Sequence, residues 1–360
     1  MKTSSLRRAA LPAVAVLTAG LALTACGNKS GGSGGGDTLT GGGSTAQAVA
    51  QDAWRAAFQK ANSGKSVTYE QVGSGTGVTN FNSSTYAFAG SDAYLDDAGI
   101  AAAKKRCDNQ DAIEVPDYVS PIAIAYNLKG VSSLNLSANA VADIFSGKVT
   151  KWNDPEIAAE NNGVNLPSTT ITPLHRSDSS GTTWNFTDYL SQASGGAWAS
   201  AASEDWPTSI SVGQGFAGTS GVVGGLQQTN GAVAYIDNSA VPSGIGAAAI
   251  KVGNHYNTPS ADGAAKVIAE SKPISGRPST DMALDIARTT TTKGTYPLLL
   301  TSYLIACPSY SDSSQGSLVK SYLTYVLSSD GQQVGSQAAK SAPLPSSMAQ
   351  QAAQLVSTIK

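Results

Sequence analysis

The stretch TTITPLHRSDSSGTTWNFTDYL, residues 169–190, reads as a strand that ends at Asp178 and a helix that opens at Gly181. Around that junction lie Arg176, Asp178, Ser179, Ser180, Gly181, Thr182 and Thr183. Only 13% of the chain is charged, about half the usual share, so a cation and a carboxylate two residues apart stand out. A helix N-terminus carries about half a positive charge and several unpaired N–H donors. Small residues let an anion approach that backbone, hydroxyls add donors, and an Arg fork matches a tetrahedral oxyanion. Plain N-capping by Ser180 explains part of the pattern equally well. A P-loop is excluded, because no Gly-Lys-Ser/Thr follows.

Outward from this stretch, strand and helix signals alternate. SVTYEQV, YAFAGSD, VSPIAIAYNL, GAVAYID and YPLLLTSYLIAC read as strands. Helices are expected in STAQAVAQDAWRAAFQKANSG, capped by Ser44 or Thr45 with Val49, Ala53, Ala57 and Ala50, Trp54, Phe58 on one broad face. Further helices are expected in DDAGIAAAKKR, SANAVADIFSG, SADGAAKVIAES and QGSLVKSYLTYVLSS. Such alternation favours an α/β fold with helices on both faces of a parallel sheet, and there ligands bind beyond the C-terminal strand ends. The Gly/Ser/Thr clusters GGGSTA (41–46), GSGTG (73–77) and GSD (90–92) fall at junctions of the same kind as RSDSSGTT. GSGTG alone is also compatible with a flexible turn, and Asp92 with a simple helix cap.

Two carboxylates sit where an anion site would seem to want none. Asp178 is expected to pair with Arg176 and fix its fork. Asp92 fits a different role, accepting a hydrogen bond from a ligand oxygen that keeps its proton. Phosphate near neutral pH keeps one, with the second ionisation of related esters near 6 to 7; sulfate keeps none. A site built around such a pairing separates the two ligands by orders of magnitude.

The ends of the chain and its bulk composition bound the rest. Lys2, Arg7 and Arg8 precede an apolar run too short for a membrane span of about 20 residues, the pattern of a signal peptide over residues 1–25. LTAC (23–26) resembles the lipobox of bacterial lipoproteins, with Cys26 acylated, and residues 26–37 form a Gly/Ser tether. Loss of those three cations and no acidic residue leaves a net charge near −5, which argues against a nucleic-acid or anionic-membrane binder. Cys107 and Cys307 remain, in an exported protein where disulfides persist; a bridge is expected, two buried thiols being the alternative. Two His and no CxxC give no metal site and no cofactor.

In chain order, GGGSTA, GSGTGV, FAGSDAYL, IFSGKVTKWNDPEI, HRSDSSGTTWNFTDYL, QQTNGAVAYID and DGQQVGSQAAKSAPLP resemble segments of the phosphate-binding lipoproteins of bacterial phosphate-specific ABC importers. The resemblance spans most of residues 38–345. It implies a two-domain type II periplasmic-binding-protein fold with mixed or parallel sheets and a hinge crossed twice. Domain I is then 38–117 with 298–360, and domain II 118–297. It further implies phosphate contacts from Thr45 (hydroxyl), Ala46 (N–H, where the family often has an aromatic), Ser74, Asp92, Arg176 held by Asp178, Ser180, Gly181 and Thr182. His175 has no role in it. The implied protein is a monomeric, lipid-anchored receptor on the extracellular face of the cell membrane, passing phosphate to permease subunits, and not an enzyme. A receptor for sulfate or molybdate is the nearest alternative. A hydrolase built on Ser180 or on GTSG (218–221) lacks triad partners from separate elements. A purely adhesive lipoprotein would have no use for four polar junctions.

Overall fold

The computed structural model describes residues 38–360. The expectations for residues 1–37, the signal peptide, the tether and acylated Cys26, lie outside the described residues.

Strands β1 (Thr38–Gly43), β2 (Ser66–Gln71) and β3 (Phe88–Ser91) run parallel, with β1 between the other two. A second parallel trio is formed by Thr172–Arg176 flanked by Gln214–Phe216 and Ala232–Asp237. Two long strands join the trios. β4 (Ile113–Tyr126) pairs antiparallel with Leu299–Ala306 through Pro121, and from Ile122 onward with Ala232–Asp237. Leu299–Ala306 in turn pairs antiparallel with β3. Every residue of β4 and of Leu299–Ala306 is buried, as a near-continuous apolar run requires. The sheet is therefore mixed, and the order places the C-terminal ends of both trios at strand-to-helix turns.

Helix α1 (Ala48–Ala61) follows β1, α2 (Ser74–Asn82) follows β2, and α3 (Asp97–Arg106) follows β3. The helix Gly181–Ala193 follows Thr172–Arg176. Asp96, Ser137 and Ser180 cap their helices by accepting the N–H groups of Gly99, Ala140 and Thr183, which relieves one orphan donor each.

The first helix departs from the expectation in two ways. It begins at Ala48 with no side-chain cap, so neither Ser44 nor Thr45 caps it. Its buried face is Ala50, Gln51, Trp54 and Phe58, whereas Val49 is 39% exposed. The reason is Trp54: its indole N–H reaches the Gly331 carbonyl at 2.7 Å, and Gly335 has no room for a Cβ beneath the ring. That docking turns the Val49 side to solvent.

Cys107 and Cys307 form a disulfide across 200 residues of sequence. Closing so long a loop removes much chain entropy from the unfolded state. Replacing both cysteines by serine is expected to cost about 2–5 kcal/mol of stability. Chemical denaturation followed by circular dichroism checks this, and an unchanged midpoint would show that the bridge carries no stability.

Candidate functional site

The two trios meet where α2 and the Gly181 helix begin. Gly181 packs directly on Asp92: a Cβ there would stand 2.7 Å from Asp92 Cβ and 2.6 Å from the Ala93 nitrogen. Gly73, with φ +93°, lies against Ser179 and Asp178, where a Cβ would fall 2.7 Å from the Ser179 carbonyl oxygen. Neither position admits another residue without moving backbone. The glycines of the two motifs thus serve close approach of one junction to another.

Asp92 sits at the centre and is 2% exposed. Its Oδ2 accepts from Ser44 Oγ (2.6 Å) and Thr182 Oγ1 (3.3 Å), and its Oδ1 from Ser302 Oγ (2.7 Å). Its backbone N–H donates to Ser74 Oγ (3.2 Å), and its carbonyl accepts from Asn185 Nδ2 (2.7 Å). Asn185 is itself held by Arg288, whose guanidinium donates to Asn185 Oδ1 at 2.6 Å. Burial pushes the Asp92 carboxyl up to about 6, against the pull of the Ser302 and Ser44 hydrogen bonds; Asp237 raises it and Arg176 lowers it. At neutral pH it is an acceptor.

Arg176 is buried at 3% exposure. Its Nε donates to Asp178 Oδ1 at 2.7 Å and its Nη2 to Asp178 Oδ2, a bidentate pair that fixes the plane of the fork. Gly218 N–H also donates to Asp178 Oδ1 (3.0 Å). Burial works to raise the Asp178 carboxyl, but the Arg176 guanidinium holds it below the usual range. The Arg176 backbone N–H donates to Tyr235 Oη at 3.1 Å.

Among the residues singled out in the sequence, Ser74, Asp92, Arg176, Asp178, Ser180, Gly181 and Thr182 come together here. Ser180 Oγ accepts the Thr183 N–H at 3.3 Å, leaving its own proton available. Thr45 lies at the rim: its Oγ1 pairs with Thr219 Oγ1 at 2.8 Å and accepts the Thr219 N–H at 3.2 Å. The Ala46 N–H points at Ser44 Oγ (3.0 Å). A cavity of about 530 Å³ opens beside this rim, bounded by Thr45, Val72, Asp178, Thr219 and Asp237 among others.

His175 stacks on Trp206 at 4.5 Å, with Nδ1 in contact with the Arg176 carbonyl oxygen at 2.9 Å. Burial lowers its basicity. It makes no hydrogen bond to Ser180, and Asp178 is engaged with Arg176, so residues 175–180 do not form a hydrolytic triad. Among the described residues there is no His/Cys/Asp/Glu cluster of metal-binding geometry, and no helix is long and apolar enough to cross a membrane.

Four participants are not evident from the sequence. Ser44 reads there as a helix cap and instead donates to Asp92. Asn185 lies inside HRSDSSGTTWNFTDYL and Thr219 inside GTSG, yet neither stands out there as a site residue, and Ser302 sits in an apolar strand with no motif; each reaches the site through pairing or packing of segments distant in the chain.

Residues 28–330 match the PBP superfamily domain. Phosphate-binding protein PstS 2 of Mycobacterium tuberculosis (strain ATCC 25618 / H37Rv) is 38% identical over 368 aligned positions, covering 96% of this chain and 98% of its own length. Phosphate-binding protein PstS 3 of Mycobacterium leprae (strain TN) is 38% identical over 299 positions, covering 81% and 79%. Two solved structures share the fold. A high-affinity periplasmic phosphate-binding protein (PfluDING) bound with phosphate superposes with a TM-score of 0.71 at 22% identity, covering 87% of this chain and 92% of that one. The phosphate-binding protein of Stenotrophomonas maltophilia gives 0.67 at 19% identity, covering 88% and 93%.

Proposed function

The chain belongs to the PstS phosphate-binding proteins of the PBP superfamily, and on that premise we propose that it captures inorganic hydrogen phosphate between two lobes and hands it to an ABC import permease. The observation that carries this reading is a buried carboxylate, Asp92, facing the N-terminus of the Gly181 helix, with the Arg176 charge close enough to lower it. Helix-terminal N–H groups, that of Thr182 among them, the Ser74 and Ser180 hydroxyls and the Arg176 fork are donors for phosphate oxygens. Asp92 is the acceptor for the oxygen that carries a proton. Sulfate and molybdate bring no proton, so the same carboxylate disfavours them.

The lobes we propose are those expected from the sequence, about 38–117 with 298–360 and about 118–297. The switch of β4 from one partner strand to the other at Pro121 and Ile122 supports a hinge there, with the return near Leu299. Thr45, Ser74 and Asp92 then belong to one lobe, and Arg176 to Thr182 to the other. The relatives are named as binding proteins, and this chain acts by capture and delivery, without catalysis. The extracytoplasmic setting of the family, with a lipid anchor at Cys26 and action as a monomer, completes the proposal.

Isothermal titration of the purified protein, first with phosphate and then with sulfate at pH 7.5, tests it. One phosphate per chain is expected, with sulfate weaker by about 10³-fold or more. No phosphate binding, or equal binding of the two ions, would overturn the assignment.

A further inference from the structure

A carboxylate has about four lone-pair positions on its two oxygens. Asp92 has three of them occupied by protein hydroxyls: Ser44 and Thr182 on Oδ2, Ser302 on Oδ1. One position remains, on Oδ1. Two of the three hydroxyls have no freedom in which way they donate. Ser44 Oγ already accepts two backbone N–H groups, from Ala46 (3.0 Å) and Gln47 (3.3 Å), so its single proton goes to Asp92. Ser302 Oγ accepts from Gln47 Nε2 at 2.5 Å, and its proton goes to Asp92 Oδ1 at 2.7 Å in preference to the Ser91 carbonyl at 3.4 Å.

The orientation of Gln47 is itself fixed from behind. Its Nε2 also faces the Tyr303 carbonyl (3.4 Å), an oxygen that only accepts, and its Oε1 accepts from Gln51 Nε2 (2.8 Å). Gln51 Oε1 accepts from Tyr322 Oη at 2.7 Å. Every member of this line, Tyr322, Gln51, Gln47 and Ser302, is fully buried, so no water scrambles its direction.

We propose that Ser302, oriented by Gln47, and Ser44, oriented by the Ala46 and Gln47 N–H groups, are positioning residues that hold Asp92 as a pure acceptor with one lone pair left for the ligand's proton. This rests on the reading of Asp92 given above and goes further: selectivity for a protonated oxyanion is set by hydroxyls that never touch the ligand. A protonated Asp92 would place an O–H among hydroxyls already committed to donating, so the clamp opposes the protonation that burial favours. With Ser302 removed, Asp92 gains a proton more readily, turns donor, and accepts sulfate.

The test is calorimetry with inorganic phosphate and sulfate from pH 5.5 to 8.5, on wild type, Ser302→Ala and Gln47→Met, with thermal melting as a check of folding. Ser302→Ala is expected to reduce the phosphate-over-sulfate ratio at pH 7.5 by about 10–100-fold, the range for a hydrogen bond to a charged group. It should also shift the rise of sulfate affinity upward by about one to two pH units. Gln47→Met, which removes the donor behind Ser302 at similar volume, moves both readouts the same way by less. The other ionisable groups around Asp92, namely Arg176, Asp237, Asp117, Glu204, Tyr69 and Tyr118, are common to all three proteins, so the displacement reports the clamp. An unchanged ratio and profile in a folded Ser302→Ala overturns the clamp. If that variant fails to fold, the same null result in Gln47→Met overturns it. Failure of wild type to prefer phosphate instead overturns the underlying assignment, and is seen without any variant.

Discussion

Arg176→Ala will lower phosphate affinity by about 10²–10³-fold at neutral pH, the largest loss expected from any single side chain of the site. Two effects add. The direct one is loss of charge-assisted hydrogen bonds to the ligand, about 1.5–3 kcal/mol. The indirect one is Asp178, whose carboxyl is held ionised by the Arg176 guanidinium and keeps only the Gly218 N–H once that is gone. A half-buried carboxylate without its cation then faces the incoming anion and repels it, which supplies the rest of the loss. This predicts an ordering. Arg176→Lys keeps the charge but not the planar fork, and falls between wild type and alanine. Arg176→Ala with Asp178→Ala recovers part of the loss, because the orphan charge has left with its partner. Titration calorimetry with melting controls measures all three. Equal phosphate binding by wild type and Arg176→Ala would remove the cation from the mechanism.

The polar junctions were legible in the sequence because each is local. HRSDSSGTTW holds strand end, fork, cap and helix start within ten residues, and the structure keeps them in one place with Ser180 as the cap. The strands within YPLLLTSYLIAC and through VSPIAIAY were legible for the same reason. The direction of strand pairing was not. Alternation of strands and helices suggests parallel neighbours, yet β4 and Leu299–Ala306 lie antiparallel in the middle of the sheet, and nothing in a buried apolar run distinguishes the two.

Ser302 shows how the hidden part of the site arises. Ser302 pairs with Tyr118 and Tyr303 with Pro116, so Asp117 is the extra residue of a bulge in β4. A bulge changes the aim of side chains beside it, and it depends on the register of two strands nearly 200 residues apart. Ser44 departs from its expected role for a related reason: a serine ahead of a helical pattern looks like a cap, whereas its hydroxyl donates to Asp92, 48 residues on, and the helix begins at Ala48. Patterns within a window gave the groups proposed to face the ligand. Groups that orient them came from tertiary pairing.

Asp92→Asn will collapse discrimination between phosphate and sulfate by about 10³-fold or more, the scale on which a site built for one hydrogen-bond pattern rejects the other. Most of the change should come from sulfate. An amide presents N–H groups where the carboxylate presented a lone pair, so a fully ionised oxyanion gains a donor and sheds a repulsion. Phosphate loses the acceptor for its proton but keeps Arg176 and the helix N-terminal donors, and weakens by about 10–100-fold. The pH profile separates this from general damage. In wild type, the buried Asp92 carboxyl is pushed up to about 6, so it is ionised at pH 7.5 and gains a proton as pH falls through that value. Sulfate affinity should therefore climb in wild type on acidification through about pH 6. Sulfate itself does not titrate there, which keeps the ligand out of the profile. Glu204, pushed up to about 7 by burial and then by the Asp92 charge, titrates in both proteins, and lower in the Asp92→Asn variant, where that charge is gone. The step near pH 6 that belongs to Asp92 is therefore expected in wild type and absent from the Asp92→Asn variant, which keeps only the displaced Glu204 step. A sulfate profile identical in the two, or sulfate still rejected after Asp92→Asn, would mean that something other than this carboxylate reads the ligand's proton.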